Sequence, residues 1–196
     1  MPSDALILGF DTSAAHCAAA LLSGGRVLAC HAEEMGRGQA ERLVPLLEEM
    51  LAGAGCGWGD LSAIGVGIGP GNFTGIRISV ATARGLALAL DIPAIGVSTF
   101  DAEGHGHRGP HIATVPAPRG QIYVQTPDGK AELRPVAPLS DLPILTPPPP
   151  DVLAERIARV AAERRGQALP RPAPLYIRAA DAAPPRDPAP VILDDA

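Results

Sequence analysis

A chain of 196 residues, 46% apolar and 19% charged, can bury the core of one ordinary domain or two small lobes, which excludes global disorder. Only 3% of the residues are aromatic and the formal net charge is -5. Autonomous grip on single-stranded nucleic acid needs stacking faces and a basic surface, so any nucleic-acid role runs through a partner. Cys17, Cys30 and Cys56 form no C-x-x-C pair and leave an odd count, against a disulfide framework or a zinc knuckle. Acids at Asp4 and Asp11 bracket an N-terminal apolar run too short for a signal segment, and no apolar run reaches membrane-spanning length. The expectation is a soluble, cytoplasmic protein.

In chain order, "ALILGFD" reads as a buried central strand that ends on an acid. "HCAAALLSGGRVLACHAEEM" reads as two strands around a Ser23-Gly24-Gly25 turn. From Gln39 to Leu51 the period becomes helical, with Leu43, Leu46, Leu47, Met50 and Leu51 on one face; Pro45 inside it predicts a kink or a late start. "AIGVGIG" is a strand, "NFTGIRISVATARGLALAL" a helix and "PAIGV" a strand. The order β-β-β-α-β-α-β fits a ribonuclease H-like α/β lobe. Only four prolines fall in residues 1–100 and eighteen in the rest, so the chain divides into an N-terminal lobe, 1–103, and a smaller, proline-rich C-terminal lobe, 104–196. The latter offers the strands "HIATVPAP" and "GQIYVQTPDG", a "PPPP" linker, an amphipathic helix "DVLAERIARVAAERR" with Val152, Ile157 and Val160 among its apolar positions, and an extended tail from Leu169.

Two segments carry candidate chemistry. Asp11-Thr12-Ser13, an acid and two hydroxyls at a strand end, suits a magnesium-nucleotide contact or a turn that bonds its own amides. The loop "GIGPGNFTGIRIS" lacks the lysine of a P-loop and fails G-x-G-x-x-G. What remains is an anion site at Gly71, Asn72 and Thr74, with Asn72 or Thr74 as helix cap, or a tight turn with positive φ at Gly71. The helix after it bears two small-residue stripes, Ser79/Ala83/Ala87 and Ala81/Gly85/Ala89, which permit close approach of another helix. Arg77 and Arg84 read as a solvated pair, and the loose cluster His105, His107, His111 lacks the spacing of a metal site. No elbow surrounds a nucleophilic Ser or Cys, against a hydrolase.

"ILGFDTS", "AERLVPLLEEML", "IGVGIGPGNFTGIRISVATARGLALAL", "IPAIGVSTF" and the ending "PLYIRAADAAPP" together resemble the bacterial tRNA threonylcarbamoyladenosine biosynthesis family TsaB, or YeaZ. The likeness is dense over residues 5–100, and Gly69 to Arg77 is its most specific block. It implies an actin/sugar-kinase/Hsp70-like (ASKHA) fold of two ribonuclease H-like lobes, the C-terminal one reduced. It also implies a non-catalytic subunit that dimerises with and activates the transferase TsaD, with the ATPase TsaE as further partner. Together they place a threonylcarbamoyl group beside the anticodon of tRNAs reading codons that start with A. On that resemblance the chain binds no cofactor by itself, ATP and a metal ion serve the partner subunits, and tRNA is met only through the complex. The paired surface, with TsaD or with a second copy, would comprise Leu43, Leu46, Leu47, Met50, Ile76, Val80, Ala83 and Ala87. TsaD carries a metal-binding histidine pair on its first helix, whereas "GRGQAERLVPLL" has none, and Gln39 stands where the resemblance implies that many members of this family keep one histidine. The family's D-A-R-R-G turn is here "PAPRGQIY", Pro116 to Tyr123. The alternative from a different class is an ATP-dependent small-molecule kinase that uses Asp11 and the Gly69–Gly71 loop.

Overall fold

The computed structural model describes residues 4–137 and 141–177. Its first sheet is built on β1 (Leu6–Asp11), buried at every position, which pairs antiparallel with β2 (His16–Ser23) and parallel with β4 (Leu61–Gly67). β3 (Arg26–Glu34) returns antiparallel along β2 after the two-glycine turn, and β5 (Ala94–Val97) lies parallel to β4. The order β3-β2-β1-β4-β5 is ribonuclease H-like, as the sequence predicts.

Period-two alternation divides the strands between two cores. Leu6, Leu8 and Phe10 meet α1 (Gln39–Gly53) and α2 (Phe73–Leu90) on one face. Ile7, with Ala63 and Leu22, faces α4 (Pro150–Arg164) on the other. α1 starts at Gln39 and runs through Pro45, so no late start occurs. Pro45 and Glu41, whose carbonyl loses its helical donor, are both exposed, so the lost bond lies on the solvent side of the helix.

The position of α4 differs from the sequence division. It follows the second lobe in the chain yet packs on the first sheet, contacting β1, β2 and β4. Its buried face is Leu153, Ala154, Ile157, Ala158, Val160 and Ala161, while Val152 is half-buried. The physical reason is a pair of glycines beneath it: a Cβ at Gly9 would lie 2.7 Å from the Ala154 carbonyl oxygen, and one at Gly65 2.7 Å from Ala161 Cβ. Small residues on both partners bring the helix axis down onto the sheet.

After the short α3 (Thr99–Gly104), the second sheet comprises β6 (Ile112–Ala117), β7 (Gln121–Gln125), β8 (Ala131–Pro135) and β9 (Ile144–Leu145). The sequence predicts the first two; the short β8 and β9 carry no clear period. Their order, β8-β7-β6-β9, with β9 alone parallel to β6, repeats the β3-β2-β1-β4 pattern of the first lobe. The second lobe is therefore a ribonuclease H-like sheet without a fifth strand among the described residues, and the whole has the ASKHA fold with a reduced C-terminal lobe.

The chain then continues without helix or strand from 168 to 177 as a strap across both lobes. Leu175 donates its amide to the Ile68 carbonyl at 2.8 Å, while Leu175 and Ile177 pack on Phe100, Ala113, Val115 and Tyr123 of the second core. The remainder of the expected tail lies outside the described residues.

By length and composition α2 is long and apolar enough to cross a bilayer, which the sequence reading did not anticipate. Asn72 caps it and β4, β5 and α1 pack against it, so it is an element of the lobe. Five of its eighteen residues are buried, and Ile78, Leu86 and Leu90 are half-buried against the core, while Ala81, Gly85, Leu88 and Ala89 are exposed.

Candidate functional site

Asp11 ends β1 and is wholly buried. Its Oδ2 accepts three hydrogen bonds, each at 2.8 Å: from the Ser13 amide, the Ser13 hydroxyl and His16 Nε2. Three donors on one oxygen turn the carboxyl back onto its own loop, the amide-bonding turn of the two sequence readings. Its Oδ1 has no partner and presses on Gly67, where a Cβ would clash outright. Asp11 therefore offers no open oxygen to a magnesium-nucleotide.

The glycine loop docks on this turn. The Asn72 amide donates to the Ser13 carbonyl at 2.6 Å, and the Thr12 hydroxyl to the Gly75 carbonyl at 2.7 Å. Asn72, not Thr74, is the cap, its side chain accepting from the Gly75 amide at 2.9 Å. Positive φ falls at Gly69 (92°) instead of Gly71. Gly71 is needed for proximity: a Cβ there would lie 2.3 Å from the Ser13 oxygen. The predicted anion contacts Asp11, Thr12, Ser13, Gly71, Asn72 and Thr74 are thus brought together, but the cap and the Asn72 amide are spent inside the protein.

Above this junction, between the lobes, lies a cleft of about 640 Å³. Ser13, His16, Gln39 and Asn72 line it from the first lobe, and Tyr123 and Thr146 from the second. Among the described residues its wall carries no Asp, Glu, Lys or Arg. A triphosphate would find neither a cation for its charge nor a carboxylate for its metal, which the kinase reading requires. Gln39, the first residue of α1, is 9% exposed and donates Nε2 to the Ala14 carbonyl at 2.8 Å. That side chain braces the Asp11 turn and does not fit a metal ligand, and no group of three or more His, Cys, Asp or Glu converges elsewhere among the described residues. His16, which sequence reasoning missed, is tied to Asp11 from five residues away across a tight turn, a spacing no motif encodes.

The residues predicted as a partner surface lie elsewhere than expected. Leu43, Leu46, Leu47, Met50, Ile76, Val80 and Ala83 are buried in the chain's own core, and Ala87 is half-buried. They are occupied by intrachain packing, because the sheet needs the broad apolar face of each helix. The other stripe of α2 is the free one: Ala81, Gly85 and Ala89 are exposed, Leu88 is 83% exposed, and nothing lies within 4 Å of a Cβ added at Gly85.

The remaining candidates resolve as structural pieces. Arg77 is not merely solvated: its guanidinium sits 3.8 Å over the Phe73 ring and donates Nε to the Tyr176 hydroxyl at 2.8 Å. Phe73 and Tyr176 stack at 5.1 Å, fastening the strap to α2. His107 and His111 meet edge to face, while His105 reaches Glu163. Burial first, then nearby acids, pushes the Cys17 and Cys30 thiols up to about 11, so neither is a ready thiolate nucleophile. Glu103, buried between α3 and β6, accepts the Thr114 amide on Oε2 and leaves Oε1 unpartnered. Burial lifts its carboxyl to about 8, against smaller opposing effects of the Thr114 bond and Arg156.

Two ribonuclease H-like lobes around a cleft define a protein of the actin/sugar-kinase/Hsp70-like class. The family model of TsaD, tRNA N6-adenosine threonylcarbamoyltransferase, matches residues 30–134, more than half of the chain, and the chain belongs to that family. Within it the likeness is to TsaB/YeaZ. YeaZ from Pseudomonas aeruginosa superposes with a TM-score of 0.64 at 26% identity, covering 88% of this chain and 100% of that one. A further crystal structure from Pseudomonas aeruginosa, of an uncharacterized protein with similarity to peptidase YeaZ, gives 0.67 at 26% identity over 89% and 100%. No curated protein matches the sequence. The family is one of tRNA modification.

Proposed function

We propose that this chain is a non-catalytic, cytoplasmic subunit that dimerises with and activates a TsaD-type transferase, which places the threonylcarbamoyl group on the adenosine beside the anticodon. The observation that carries the reading is the outward face of α2. This capped helix exposes a row of small residues, Ala81, Gly85 and Ala89, flanked by Leu88. Small rows let a second helix approach below the usual separation of about 8–10 Å, and an exposed apolar face of this kind marks a partner surface. The uncharged cleft and the brace role of Gln39 support the non-catalytic part. ATP and metal chemistry belong in this reading to the partners, TsaE included, and tRNA is engaged through the complex. In isolation the same face serves self-pairing.

The test is capture of the transferase homologue from the same genome by the tagged chain. Gly85→Arg fills open space and is expected to leave folding intact while abolishing capture. Undiminished capture by Gly85→Arg and by Leu88→Glu would remove α2 from the interface.

A further inference from the structure

The cleft between the lobes has a feature that partner docking does not use. His16 is 6% exposed, and what remains accessible opens on the cleft it lines. Its Nε2 lies 2.8 Å from Asp11 Oδ2. A carboxylate oxygen that already takes the Ser13 amide and hydroxyl can only accept, so Nε2 carries the proton in the neutral ring. Nδ1 is then a lone-pair acceptor, and the side-chain hydrogen bond of the ring runs through Nε2 alone among the described residues. The ring is fixed from two directions. Asp11 holds Nε2, and Gln39 Nε2 bonds the Ala14 carbonyl at 2.8 Å and the His16 carbonyl at 3.5 Å, locking the backbone that carries it.

The surroundings define what such an acceptor would meet. The wall is mostly Ala, Pro, Val and Leu, with Tyr123, Thr99 and Thr146 as further neutral polar groups. Its volume of about 640 Å³ falls in the usual range of small-molecule sites, roughly 300–1,000 Å³. A charged ligand would lose its hydration without gaining a counter-charge. A neutral one loses little and gains one oriented hydrogen bond.

We propose that this cleft binds a neutral, largely apolar small molecule through a hydroxyl or amide N–H that donates to His16 Nδ1. Asp11, Ser13 and Gln39 are positioning residues that keep that acceptor aimed. The site is separate from the outward face of α2 and stands whether or not that face docks a transferase.

The test uses the unaltered full chain and carbethoxylation by diethyl pyrocarbonate, which modifies an imidazole nitrogen with a free lone pair. Peptide mass spectrometry follows His16 against His31, whose side chain is 54% exposed. His16 is expected to label at a rate within about tenfold of His31 despite its burial, because reactivity needs the lone pair and access from the cleft. Benzamide or benzyl alcohol at ten times its own Kd is expected to slow His16 labelling about tenfold by occupancy, leaving His31 unchanged. Benzoate and toluene, the charged and donor-free counterparts, are expected to give no protection. An inert His16 beside a labelled His31 would overturn the proposal. So would labelling that neither neutral donor slows, or that benzoate or toluene slows equally.

Discussion

Gly75 and Gly85 sit in the same helix and invite the same change, yet the packing described above assigns them opposite signs. Gly85 is exposed with nothing within 4 Å of an added Cβ, so Gly85→Ala should stabilise by about 0.5–1 kcal/mol through helix propensity alone. At Gly75 the Cβ would overlap the Thr12 carbonyl oxygen, and that oxygen belongs to a backbone pinned by the Thr12 hydroxyl bond to Gly75 and the Asn72 amide bond to Ser13. Overpacking against an immobile backbone costs typically 1–3 kcal/mol and occasionally more, so a net loss of about 3 kcal/mol is expected. In a chain of this size 1 kcal/mol shifts Tm by about 2–4 °C, so thermal unfolding should show Gly85→Ala rising about 1–4 °C and Gly75→Ala falling about 6–12 °C. Urea denaturation at unchanged m-value would confirm that stability itself has moved. A Gly75→Ala protein as stable as the unaltered chain would refute the account of the loop as a turn locked onto Asp11–Ser13.

Glu103 makes stability depend on pH with an unusual sign. Its folded value of about 8 lies above the 4.5 of an ordinary glutamate, so the folded state holds the proton more tightly. Its contribution is therefore complete at acid pH and declines as pH rises from about 4.5 towards 8; Glu103→Gln should flatten that part of the Tm–pH curve, and an unaltered slope would count against it. Val80 is 4% exposed beneath the free face of α2, so Val80→Arg should fail to fold, whereas Gly85→Arg should keep the far-ultraviolet circular dichroism of the unaltered chain. Tyr176→Ala removes the stack on Phe73 and the acceptor for Arg77; limited proteolysis should then cut within 168–177 severalfold faster, with equal rates counting against the strap.

Most of the first lobe was legible in the sequence because its signals are local. The wholly apolar "LILGF", the double-glycine turn and the helical spacing of Leu43, Leu46, Leu47 and Met50 each specify an element without distant partners. The same periodicity could not tell which face of α2 feeds the core. Both stripes consist of small residues, and the choice was made by β4 and α1, which Ser79 and Ala83 meet. The placement of α4 was hidden for a similar reason. Gly9 and Gly65 look like ordinary strand glycines until a helix from the far end of the chain lies on them. The Asp11–His16 pair depends on a turn geometry in three dimensions, and the short β8 and β9 are edge pieces fixed by pairing with β7 and β6.

The central claim is most directly tested by reconstituting threonylcarbamoyl transfer to tRNA with the purified transferase homologue, its ATPase and ATP, with and without this chain. Modified adenosine, quantified by mass spectrometry of digested tRNA, should form only when the chain is added, saturate near one chain per transferase, and stay at background with Gly85→Arg. Full modification without the chain, or equal stimulation by Gly85→Arg, would contradict the account.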